Sequence, residues 1–169
     1  MAVVPSTRYI HMVSSAKTLE VGAVMLEGEL AYRRGEHDKG FELLRHAVAL
    51  ELALPYDEPW GWMTPVEHAL GALLTEQKRF VEAERVFRHD LARWPKNIWS
   101  LRGLMQCLGS RRASAQDDDS VAALEAELRE VAEQLALASA RCDIDSDHAC
   151  FCAGMATSAG PLPCCDSSV

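Results

Sequence analysis

The chain has 169 residues, 49% of them apolar and 25% charged, with a formal net charge of -8 at pH 7. That length holds one domain with a sizeable core and is short for two. The acidic balance, with no basic stripe carrying interleaved aromatics, argues against a nucleic-acid binder, and no apolar run approaches the ~18 residues of a membrane helix.

Residues 1–17 lack a charged start followed by an apolar core, so no secretory leader is expected and a cytoplasmic location follows by default. Tyr9, Ile10 and Met12 are their large apolar residues and the expected anchors of this segment. From about Thr18 to Gly35, Val24, Leu26, Leu30 and Ala31 recur at helical spacing and predict a first helix with that face inward. A second helix is predicted from His37, carrying Phe41, Leu44, Ala47 and Val48. The break between them is short, so the pair should pack antiparallel.

An elaborate loop follows, "PYDEPWGWMTP", in which Glu58-Pro59-Trp60-Gly61 fits a type I turn. Trp60 and Trp62 straddle the glycine. They are expected either to pack over neighbouring helices, each burying a large area, or to stand out as partner anchors. Thr64, Pro65 and Glu67 form a helix-start signature, and Val66, Ala69, Leu70, Leu73 and Leu74 supply the next buried face. "EQKR" makes a turn into a helix marked by Phe80, Ala83, Val86, Phe87 and Leu91. Pro95 closes it, and Asn97 can cap a helix bearing Leu101, Leu104, Met105 and Leu108. Gly109 to Asp119 reads as a flexible polar loop. A long last helix from Ser120 to Arg141 carries Val121, Leu124, Leu128, Val131 and Leu135.

"EGELAYRRGEHDKGFELLRHAVAL" and "ALGALLTEQKRFVEAERVFRHDLARWP" resemble successive tetratricopeptide repeats. Gly28 and Gly71 stand at the small position of the first helix, Gly35 at the bend, and Gly40, Ala47 and Ala83 at small positions of the second. "NIWSLRGLMQCLGSR" is similar to the first helix of a third copy. Asp90 departs from the pattern, standing where a small residue is usual, and the tryptophan loop stretches the spacing beyond the family's 34 residues. The resemblance implies an all-α, right-handed solenoid of antiparallel helical hairpins over residues 18–141. A long C-terminal helix would end it, followed by a disordered cysteine-rich tail over 142–169, and residues 1–17 would be the remnant of an upstream repeat.

Such proteins are non-catalytic scaffolds that bind a peptide or protein on a concave face lined by the first helix of each pair. Carried onto this chain, that face would include Met25, Glu29 and Tyr32, then His68, Ala72 and Thr75, then Trp99, Arg102 and Gln106. No cofactor is implied. An uncapped N-terminal edge would invite self-association or an upstream neighbour, and the chain could then be the structural end cap of a larger array.

The rival reading is a metal- or thiol-active protein. His148, Cys150, Cys152, Cys164 and Cys165 offer imidazole and thiolate ligands, at spacings poor for a structural zinc site. An enzyme is not expected. His37, His46, His68 and His89 fall on helices without a nucleophile at a telling spacing, and neither a phosphate-binding glycine loop nor a zinc-protease motif occurs.

Overall fold

The computed structural model describes residues 4–142 and Ala149. Among these the chain is mostly helical, with six α-helices preceded by one short β-hairpin. These residues form two compact units, divided between Leu70 and Gly71 within the third helix.

The first unit opens with β1 (Tyr9–Ile10) and β2 (Val13–Ser14), which pair antiparallel, Tyr9 opposite Ser14 and Ile10 opposite Val13. The two-residue loop between them puts His11 at φ 52°, the left-handed conformation that such tight hairpins require. The expected anchors are not anchors. Tyr9, Ile10 and Met12 are all exposed, and the residue that fixes the segment is the fully buried Val13.

Helix α1 (Ser15–Arg33) starts three residues before the expected Thr18. Its inward face also differs from the sequence reading, being Thr18, Val21, Gly28, Ala31 and Tyr32, with Leu26 and Leu30 exposed. The periodicity was legible but its phase was not. Helix α2 (His37–Leu52) crosses α1 so closely that a Cβ on Gly40 would lie 3.0 Å from the Gly28 carbonyl oxygen and the Tyr32 nitrogen. Small residues hold the crossing, which leaves the larger leucines no room on that side.

The bend between α1 and α2 is a Schellman closure. Gly35, at φ 84°, donates to the Tyr32 carbonyl, and Glu36 donates to the Ala31 carbonyl. Helix α3 (Val66–Glu76) and helix α4 (Phe80–Arg93) are joined in the same way. There Lys78, at φ 59°, donates to Thr75 and Arg79 to Leu74. A non-glycine residue has taken the left-handed position at which glycine is preferred.

The second unit is centred on Phe87, which is fully buried. A Cβ on Gly71 would meet its ring at 2.5 Å, and one on Gly103 at 2.2 Å. Helix α5 (Ile98–Ser114) begins as expected, Asn97 accepting from the Trp99 and Ser100 amides. It then runs through Ser114 and takes up half of the stretch read as a flexible loop. Helix α6 (Asp118–Ser139) is capped by Asp117, which accepts from the Ser120 amide at 2.8 Å. Leu124, Val131 and Leu135 form its buried seam.

Candidate functional site

On α1, the expected groove residues Glu29 and Tyr32 lie three apart and so share a face. Glu29 is partly buried; burial raises its carboxyl's pKa above the ordinary value, with the Arg33 guanidinium pulling the other way. Tyr32 is not displayed: it is 3% exposed. Its ring lies 4.7 Å from the His37 ring and 5.7 Å from that of Phe41, with the Arg33 guanidinium 5.6 Å above it. It therefore fills the closed end of the α1–α2 hairpin. His68, expected on the next stretch of the groove, is also buried.

On α5 the structure brings Trp99, Arg102 and Gln106 onto one face at spacings of three and four. Trp99 and Arg102 are half-buried and Gln106 is exposed. An aromatic, a permanent cation and an amide side by side give hydrophobic area, charge and two-way hydrogen bonding, a combination common in protein recognition.

The two loop tryptophans have different fates. Trp62 covers Gly22 of α1 so tightly that a Cβ there would be 2.7 Å from its ring. Its indole nitrogen is buried without a hydrogen-bond partner. Next to it Gly61 lies over Val13, where a Cβ would come to 3.0 Å. Asp57 is buried, accepting from the Met12 amide at 3.3 Å and from the Glu58 amide at 3.0 Å. The loop is thus packed onto the hairpin and α1. Trp60 is half-exposed, and the Glu58–Pro59 peptide is cis.

Several polar contacts escaped the sequence reading. Glu51 on α2 is buried because its carboxylate accepts from the Val66 amide at 2.9 Å, capping α3 from fifteen residues away. Asp90, the departure from the repeat pattern, is fully buried and accepts from the Ser100 hydroxyl at 2.6 Å, joining α4 to α5. Glu84 is gripped by Arg88 at 2.9 Å and by Arg111, while Arg88 reaches Glu127 at 2.6 Å. Burial alone would raise the Glu84 carboxyl, but the hydrogen bonds from Arg111 and Arg88 outweigh it and hold the group below its ordinary value. Apart from the i,i+4 pair of Glu84 and Arg88 within α4, nothing local announces these contacts, since their partners lie on different helices.

An apolar stripe on α1 was also missed. Leu19, Leu26 and Leu30 are exposed on the side opposite Val21 and Gly28. They fall at spacings of seven and four, so they form one row along the helix.

His148, Cys150, Cys152, Cys164 and Cys165 lie outside the described residues. Among the described residues, no group of three or more His, Cys, Asp or Glu side chains could hold a metal ion, and no helix is long and apolar enough to cross a membrane. The Cys107 thiol is buried 3.6 Å from the Thr75 hydroxyl, and burial pushes its pKa up. That is the environment of an inert thiol. No protein-family model, curated protein or solved structure matches this chain.

Proposed function

We propose that the chain is a tetratricopeptide-like helical scaffold that recognises a protein or peptide without catalysis, with the Trp99, Arg102 and Gln106 face of α5 as its main contact surface. The observation that carries this reading is the recurrence of one hairpin design at an offset of 43 residues. Gly28 and Gly71, Tyr32 and Thr75, Gly35 and Lys78, Gly40 and Ala83, and Leu44 and Phe87 occupy corresponding places. Both hairpins are closed by the same pair of backbone hydrogen bonds. A duplicated hairpin with small residues at its crossings is what a stacked helical array needs.

Tyr32 and His68, buried in the packing, are not part of the contact surface. A preformed rigid face loses little entropy on association, so a short peptide segment suffices as ligand.

The test is affinity capture from native lysate with the wild type and a Trp99→Ala, Arg102→Ala, Gln106→Ala triple variant, both verified as helical by circular dichroism. Proteins captured by the wild type and lost by the variant support the reading. An identical set on both overturns the assignment to α5.

A second reading, self-association through the N-terminal edge, is favoured by the exposed leucine row on α1. In sedimentation-velocity runs it predicts a concentration-dependent larger species that Leu26→Glu abolishes. A wild type that stays monomeric at high concentration overturns it.

A further inference from the structure

The β-hairpin and the start of α1 enclose a groove of about 700 Å³, within the size range of small-molecule sites. Its polar lining includes Arg8, His11 and Ser15, and its apolar walls include Tyr9, Ile10 and Leu19, with no Asp or Glu among them. Ser15 is the first residue of the 19-residue helix α1 and is only 5% exposed, and its hydroxyl has no hydrogen-bond partner. A buried hydroxyl left unpaired is costly, so such groups are normally satisfied.

The helix start is prepared for an anion in three further respects. Ser14, at the N-cap, makes no side-chain hydrogen bond to the first turn. That turn holds no acidic residue to balance the positive end of the helix dipole. Arg8 makes no ion pair among the described residues, leaving its planar fork of donors available.

We propose that this groove is a binding site for a single carboxylate carried on an apolar body. Arg8 supplies the cation, and the Ala16 and Lys17 amides of the first turn of α1 supply a helix N-terminus of the kind that binds anions elsewhere, the Ser15 amide being held by the Arg8 carbonyl at 3.0 Å. The Ser15 hydroxyl is the third donor, and His11 presents its imidazole at the rim. Tyr9, Ile10 and Leu19, exposed in the free protein, cover the ligand's apolar part. The cation and the helix end together offer about +1.5, enough to neutralise a carboxylate, and the apolar walls Tyr9, Ile10 and Leu19 favour that weakly charged group over a phosphate of roughly -1.5 to -2, whose desolvation costs more. The site uses none of the α5 residues assigned to protein recognition, shares only Leu19 with the leucine row of α1, and stands independently of the α5 reading.

The experiment is an amide-resolved NMR titration of the full chain with 3-phenylpropionate, its neutral isostere 3-phenylpropanamide, and a blocked tripeptide ending in a free leucine carboxylate. The expected result is saturable shifts of the Ser15, Ala16 and Lys17 amides by the acid, with the amide isostere at least tenfold weaker. Arg8→Gln should weaken the acid tenfold or more and leave the isostere unchanged, in a protein whose remaining spectrum is unaltered. Ser15→Ala should weaken the acid severalfold. Stronger binding of the tripeptide supports the site and identifies a chain end as its ligand source; stronger binding of 3-phenylpropionate supports it and identifies a free organic acid. Equal binding of acid and isostere, shifts that persist in Arg8→Gln, or no saturable binding overturns the proposal.

Discussion

Gly103→Ala is the substitution that best separates the packing described above from generic helix behaviour. An alanine in the middle of a helix is ordinarily worth ~1 kcal/mol over glycine, because glycine loses more backbone entropy and exposes more peptide surface. Here the new methyl would lie 2.2, 2.4 and 2.5 Å from three carbons of the Phe87 ring. The ring has little room to retreat, because a Cβ built on Gly71 would itself stand 2.5 Å from it. Overpacking of this kind costs ~1–3 kcal/mol. Crediting the helix propensity leaves a net loss of about 0–2 kcal/mol, in place of the ~1 kcal/mol gain expected of an unhindered helix position.

Phe87→Leu removes the obstructing ring edge at a cost of roughly 1–1.5 kcal/mol. If the clash is the cause, Gly103→Ala should be neutral or stabilising in the Phe87→Leu background. A double-mutant cycle by urea unfolding, followed by circular dichroism at 222 nm, should then show a favourable coupling of ~1 kcal/mol or more between the two sites. A Gly103→Ala variant more stable than the wild type by the full ~1 kcal/mol of helix propensity, or a coupling near zero, would refute the account of this core.

Three further outcomes follow from the same structure. Lys78→Gly should stabilise the protein by about 1 kcal/mol, read as a raised urea midpoint, since it relieves a left-handed residue at a Schellman closure. Glu84→Gln should destabilise by ~1–2 kcal/mol at neutral pH, less than a fully buried pair because both arginines are partly exposed. The folded carboxyl titrates below its ordinary 4.5. Its contribution is therefore complete above that value and is lost as pH falls through the lower folded value, so the gap between wild type and Glu84→Gln in thermal melts should close in acid. Glu51→Ala should cost about 1 kcal/mol through loss of the α3 cap and should speed hydrogen exchange at the Val66 amide specifically.

The sequence made helices α2, α4 and α5 legible because each starts at a local signal: Gly35 at the bend before α2, the short "EQKR" turn before α4, and Asn97 capping α5. It misled on α1 because the crossing with α2 demands small side chains. Gly28 and Ala31 face inward and leave Leu26 and Leu30 outside, so hydropathy points the wrong way. The hairpin at Tyr9–Ser14 was unreadable, since His11 takes a turn position without the usual glycine or asparagine. The roles of Glu51, Asp90 and Glu84 were not legible because the Val66, Ser100 and Arg111 partners lie 15, 10 and 27 residues away. Of the candidate site, the row on α5 was visible as a helical spacing. The burial of Tyr32 was not, because it depends on His37 and Phe41 closing over the ring.

The central claim, recognition through the exposed face of α5, is tested most directly by placing a photo-crosslinking amino acid at Gln106 and, separately, at the exposed Arg129 on α6. The account predicts a discrete crosslinked partner band from Gln106 in cells, lost when Trp99 and Arg102 are also replaced by alanine, and none from Arg129. A partner captured equally from both positions, or from Arg129 alone, would contradict it.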